Sequence, residues 1–271
     1  MLNAANARTI RLAFRRDDGM ALPFLLAGTD GGLLERFVAC REVLVSPAER
    51  VDIVIDFGDM SAGGFAVMES RAFKPMQDVP AAASTDAGHA HRVSVAMNDG
   101  APFDLMQFRV RGGAMTSPPL PAQLSTLPPV PATSGDERPF RLGFAKGRWR
   151  INDRVYDMTA TAVEVARGAR ETWILRNYFT SAPHAMHLHG FQFHVLERET
   201  SPDEVAKLAV DARGRLATDL GMKDTVLVWP GESVRIAIDF ATAASEAQIF
   251  LLHCHNLEHE DAGMMLRIKV A

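Results

Sequence analysis

The chain has 271 residues with a formal net charge of −4; apolar residues make up 47% and charged residues 23%. That balance excludes a protein that grips nucleic acid by neutralising phosphates. No run of about 18 apolar residues offers a membrane-spanning helix.

The opening MLNAANARTI has neither the basic stretch nor the apolar core of an export signal. Short segments at 8–14, 64–70, 92–97, 171–177, 191–198 and 265–270 carry β-branched and aromatic residues between Gly, Pro, Asp or Asn, and they are expected to be strands. Between the third of these and its upstream neighbour lies AAASTDAGHAHRV, where His89 and His91 are read as part of a solvated loop. Residues 112–139 hold seven of the 15 prolines and no sustained periodicity. Proline lacks a ladder N–H and favours extended backbone, so a semi-rigid linker is expected there. One helix is expected at 203–211, with Ser201 as its cap and Pro202 at the first helical position.

An internal repeat organises these pieces. Residues 46–57, SPAERVDIVIDF, and 229–240, WPGESVRIAIDF, share P-x-E-x-V-x-I-x-I-D-F at an offset of 183. Each copy alternates with period two, as a strand with one buried face does. The expectation is an all-β chain of two Greek-key sandwich or barrel domains: a first at 1–111 and a second at 140–271. Projecting the second domain back by the offset leaves the first short of roughly 40 residues at its N-terminal side.

Six of nine histidines fall in two clusters. The first is His184-Ala-Met-His187-Leu-His189-Gly; the second runs His253-Cys254-His255-Asn-Leu-Glu-His259 and on to Glu260, Asp261 and Gly263-Met264-Met265. Thiolate, two imidazoles and a weak thioether make a blue-copper site, and His184, Cys254, His259 and Met264 supply that set. In an extended H-C-H segment the two imidazoles share one face and the thiol takes the other. Cys254 can then serve one metal while His253 and His255, with His187 and His189, face a second. Structural zinc is the alternative, although zinc favours Cys-rich tetrahedra and has no need of the trailing Met pair. Cys40 is read as a free thiol and His194, in FQFHV, as an ordinary strand residue.

H-x-x-H-x-H-G followed by H-C-H-x-x-x-H-x-x-x-G-M-M resembles the two C-terminal copper signatures of multicopper oxidases. The wording LEHEDAGMM, with SPAER and LNAANAR, is most similar to the bacterial three-domain members: copper-efflux oxidases, bilirubin oxidases and spore-coat laccases. The resemblance implies two cupredoxin domains, the first without copper ligands. It implies type 1 copper on His184, Cys254, His259 and Met264, type 2 copper on His187, and a type 3 pair on His189, His253 and His255. It also implies that Glu260 feeds protons to dioxygen reduction, with Cys254 as the electron path. Four further histidines come from an N-terminal domain in this family, so a completing cupredoxin domain, in the same or another chain, is an expected partner. The other partners implied are dioxygen and a small reductant: a phenol, aromatic amine, bilirubin or cuprous ion. Periplasmic or secreted location follows from the family alone. A blue-copper electron carrier without oxidase activity is the alternative function.

Overall fold

Phe, Ile, Val and Leu alternate with polar residues through most of the pairing segments, and the result is a nearly all-β chain. The computed structural model describes residues 1–74, 100–112, 119–133, 135 and 137–271. The strand expected at 92–97, and His89 and His91, lie outside the described residues.

The first part forms β1 (Ile10–Arg16), β2 (Phe24–Thr29), β3 (Gly32–Cys40), β4 (Glu42–Val45), β5 (Asp52–Ile55), β6 (Phe65–Ser70) and β7 (Phe103–Arg109). They build two sheets, in the orders β4-β1-β6-β7 and β3-β2-β5. Leu12, Phe14, Phe24, Leu26 and Val45 fill the space between them.

The second part forms β8 (Arg138–Ala145), β9 (Arg148–Ile151), β10 (Val163–Val165), β11 (Arg170–Asn177), β12 (His184–Leu188), β13 (Phe193–Glu199), β14 (Thr225–Val228), β15 (Ser233–Asp239), β16 (Gln248–Cys254) and β17 (Met265–Val270). Its sheets run β10-β17-β16-β12-β14 and β13-β15-β11-β8-β9. Phe140, Trp173, Phe193 and Phe240 are fully buried in this core, each burial worth about 1.5–3 kcal/mol.

The repeat has a structural counterpart. β4-turn-β5 and β14-turn-β15 are the same device, and the order β4-β1-β6-β7 matches β14-β12-β16-β17. In both turns a residue after proline takes positive φ, Ala48 at 67° and Gly231 at 79°. The glutamate that follows accepts a backbone N–H three residues back: Glu49 from Ser46 at 2.6 Å, Glu232 from Trp229 at 2.9 Å. Among the described residues, strands β8 to β11 have no counterpart in the first part. Among those residues β5 and β7 have no partners matching β11 and β10, which flank β15 and β17.

Two expectations are corrected. The helix is one turn, α1 (Asp203–Ala206), with Pro202 itself at the N-cap. Ser201 donates instead to Glu232 at 2.6 Å, and Ala209 leaves the helical path to bridge Leu216. The Pro-rich stretch meets β8 at Arg138 and is tethered to β3. Leu124 N–H donates to the Glu35 carbonyl at 2.8 Å, and Ser125 Oγ reaches the Leu33 and Leu34 carbonyls.

The two parts are clasped by buried charge. Lys223 Nζ, with no solvent exposure, lies 2.9 Å from Asp30 and 2.9 Å from Glu49. Burial opposes its charge, but the two carboxylates outweigh that and raise its pKa. Arg50 adds a bidentate pair to Asp224, both contacts at 2.7 Å.

Candidate metal centre

β12 and β16 lie side by side and antiparallel, pairing Met186 with Cys254 and His187 with His253. Period two then sorts the ligands. His184, Met186 and Cys254 turn into the core, while His187 and His253 turn to the other face. One strand pair thus serves two adjacent clusters.

In the inner cluster, His184 Nδ1 and His259 Nδ1 are 3.1 Å apart, and Cys254 Sγ lies 3.6 and 3.5 Å from them. The point equidistant from the three atoms is about 2 Å from each, the length of a metal–imidazole bond. His259 is delivered by the short helix α2 (Leu257–Asp261). Asn256 caps that helix by accepting the N–H groups of Glu258 and His259. Met264 follows in the same turn; its N–H donates to the His259 carbonyl, and its own carbonyl accepts from Cys254 N–H. Gly263 has φ 92°, and a Cβ there would strike Val155, so the turn that brings Met264 inward requires glycine. His184, Cys254 and Met264 have no exposure and His259 has 6%.

Burial sets the proton states. It pushes the Cys254 thiol up to about 12 and His259 down to about 3. His184 falls well below its ordinary range through burial and then the neighbouring His259. Ser181 Oγ, 2.9 Å away, occupies the outer nitrogen of His184.

The outer cluster brings His187, His189 and His253 within reach of a common ion. His189 Nε2 and His253 Nε2 are 2.9 Å apart. The His255 ring lies 5.4 Å from that of His253 and 5.7 Å from that of His187. His187 Nδ1 sits 3.0 Å from both the Asp224 carbonyl and Thr225 Oγ1, which leaves Nε2 toward the cluster. Burial, then the neighbouring imidazoles, pushes His253 down to about 3. Glu260 Oε2 is 3.4 Å from His253 Nδ1.

All eight sequence-selected ligands therefore lie in or beside one of the two clusters. Cys40 is a buried free thiol. His194 sits in β13 and lines a cleft of about 460 Å³ with Leu34, Pro129 and Arg215, away from both clusters. No sequence signal pointed to Trp149, whose ring lies 4.0 Å from His259 and 5.1 Å from His184. Nor did it suggest the clasp through which Asp224 meets the first part. The donor set of the inner cluster, one thiolate and two imidazoles in a closed apolar pocket, suits copper.

The multicopper oxidase family model matches residues 128–271. A bilirubin oxidase of Albifimbria verrucaria is 28% identical over 97% of this chain and 42% of its own length. A laccase of Bacillus subtilis is 30% identical over 98% of the chain and 49% of its own. The crystal structure of the McoA multicopper oxidase from the hyperthermophile Aquifex aeolicus superposes with a TM-score of 0.81 at 34% identity, covering 99% of this chain and 54% of that one. The chain spans about half the length of the curated relatives it matches.

Proposed function

The chain belongs to the multicopper oxidase family, and from that premise we propose that it carries a complete type 1 copper site and half of a trinuclear oxygen-reducing site. The type 1 ligands are His184, Cys254, His259 and Met264. His187 serves the type 2 ion, and His189, His253 and His255 serve the type 3 pair. Copper at these sites supplies one-electron redox chemistry and dioxygen reduction. The protein's part is to hold His184, His253 and His259 neutral, exclude water from the inner pocket and join the two clusters through His253-Cys254-His255. Glu260, against His253, is assigned to the proton path of the oxygen chemistry.

Completion of the trinuclear site calls for further imidazoles from an N-terminal cupredoxin domain in the same or another chain. The electron donor is a phenol, aromatic amine, bilirubin or cuprous ion, in a periplasmic or secreted setting. No helix among the described residues is long and apolar enough to cross a membrane. The blue-copper carrier is the second reading; it draws support from the inner pocket being the cluster whose whole ligand set lies in this chain.

The triangle of Nδ1, Nδ1 and Sγ carries the proposal. Copper(II) added to the chain is expected to give an intense blue colour, and Cys254→Ser to abolish it while far-UV circular dichroism is unchanged. The colour arises from thiolate-to-copper charge transfer that a hydroxyl cannot supply. A blue Cys254→Ser protein would sink the assignment. Oxygen uptake then separates the readings: addition of the completing domain should start turnover in an oxidase and leave a carrier inert.

Copper uptake is also expected to release one proton per ion. Cys254, pushed up to about 12, is protonated at neutral pH, whereas His259, held near 3, has none to lose. Affinity should therefore rise about tenfold per pH unit across neutrality. Proton release in unbuffered solution, alongside copper titrations at two pH values, measures it; a pH-independent affinity contradicts the thiolate ligand.

A further inference from the structure

Electrons from outside must cross a closed wall to reach the inner pocket. Three of its four ligands have no exposure, His259 has 6%, and the outer nitrogen of His184 is taken by Ser181. The aromatic stack at the β8–β9 hairpin leads through this wall. Trp149 and Phe144 are paired directly opposite each other there. The Phe144 ring, 37% exposed, lies 4.9 Å from the Trp149 ring. Trp149 in turn lies 4.0 Å from His259 and 5.1 Å from His184.

Building on the type 1 reading above, we propose that Phe144 and Trp149 form the landing site for an aromatic one-electron donor, and that Trp149 sets a preference for aromatic over non-aromatic donors. A hydroquinone stacked on the pair gives one electron to type 1 copper(II), leaving copper(I), and releases one proton to water. It departs as the semiquinone, and the indole is unchanged. Ring–ring contact favours this encounter roughly two- to tenfold, and an ammine complex has no ring to stack.

The test has a metal-free arm and a copper arm. Trp173 and Trp229 are buried at 0 and 2% exposure, so quenching of indole fluorescence by hydroquinone in the copper-free chain reports on Trp149. Saturable quenching is expected, and Phe144→Ala should weaken the apparent affinity. Quenching that is strictly linear, or identical in Phe144→Ala, overturns the landing site. In the copper-loaded chain, anaerobic bleaching of the blue colour is timed with hydroquinone and with hexaammineruthenium(II). Leucine fills much of the space of the indole without its π-face. Trp149→Leu should lower the hydroquinone-to-ruthenium rate ratio about tenfold, and Trp149→Phe should restore most of it. An unchanged or increased ratio at intact colour overturns the preference. A wild-type chain that takes copper without turning blue fails the type 1 reading instead, and the fluorescence arm still decides the landing site. Should Trp149→Leu take up no copper, the Phe144→Ala rate ratio decides in its place.

Discussion

The copper-free chain is expected to lose its fold between pH 7 and pH 5. His184, His259 and His253 are held neutral in the folded state, with pKa values depressed chiefly by burial. In the unfolded chain each takes a proton near pH 6.5. Their contribution to stability is thus fully present above about 6.5 and is lost progressively as pH falls below it, because there only the unfolded state readily binds the protons. At pH 5 the loss is about 2 kcal/mol per imidazole, or about 6 kcal/mol for the three, comparable to the whole stability of many domains. Urea titrations followed by circular dichroism at pH 8, 6 and 5 measure it. Bound copper should suppress the effect, since the metal occupies the lone pairs that protons would take. A urea midpoint that does not move from pH 7 to 5 would show that these rings are solvated.

Lys223→Met is expected to destabilise the chain by about 3–5 kcal/mol, because Glu49 loses its buried cation and Asp30 keeps only the more distant Arg50 at 3.7 Å. The cost arises from the stranded charges rather than from the lost attraction. The triple variant with Asp30→Asn and Glu49→Gln keeps the acceptor oxygens and removes the charges, and it should recover most of the loss. Denaturant midpoints of the single and triple variants decide it: equal midpoints would mean that water already reaches the clasp.

Strands β15 and β17 were legible because their alternation is long enough to display a period, and the four-residue β5 because it repeats the pattern of β15. β15 has seven residues and β17 six, whereas β9, β10 and β14 have three or four, too few for any periodicity to show. The eight ligands were legible because β geometry places i and i+2 on one face, so H-x-H and H-C-H already encode which donors converge. Trp149 was not, since nothing near it in sequence marks a ring that will lie over His259, 110 positions away. The Lys223 clasp joins residues 174 to 193 positions apart, and a single lysine in sequence looks like solvated surface. Ser201 had the chemistry of a cap, but the buried Glu232 offered its hydroxyl a stronger acceptor.

The two repeated glutamates hold different partners. Glu232 meets a cation of its own part, Arg198 on β13, with Asp219 as the second acid. The matching strand β2, FLLAGT, offers no cation, and Glu49 instead holds Lys223 from the neighbouring part, with Asp30 as the second acid. The same glutamate is an internal brace in one part and a joint between the parts in the other. Residues 49 and 223 are thereby bound to a shared fate: a substitution at either becomes tolerable only with a matching change at the other. Descendants of such a duplication should drift as a linked pair here and freely at Glu232's outer surroundings.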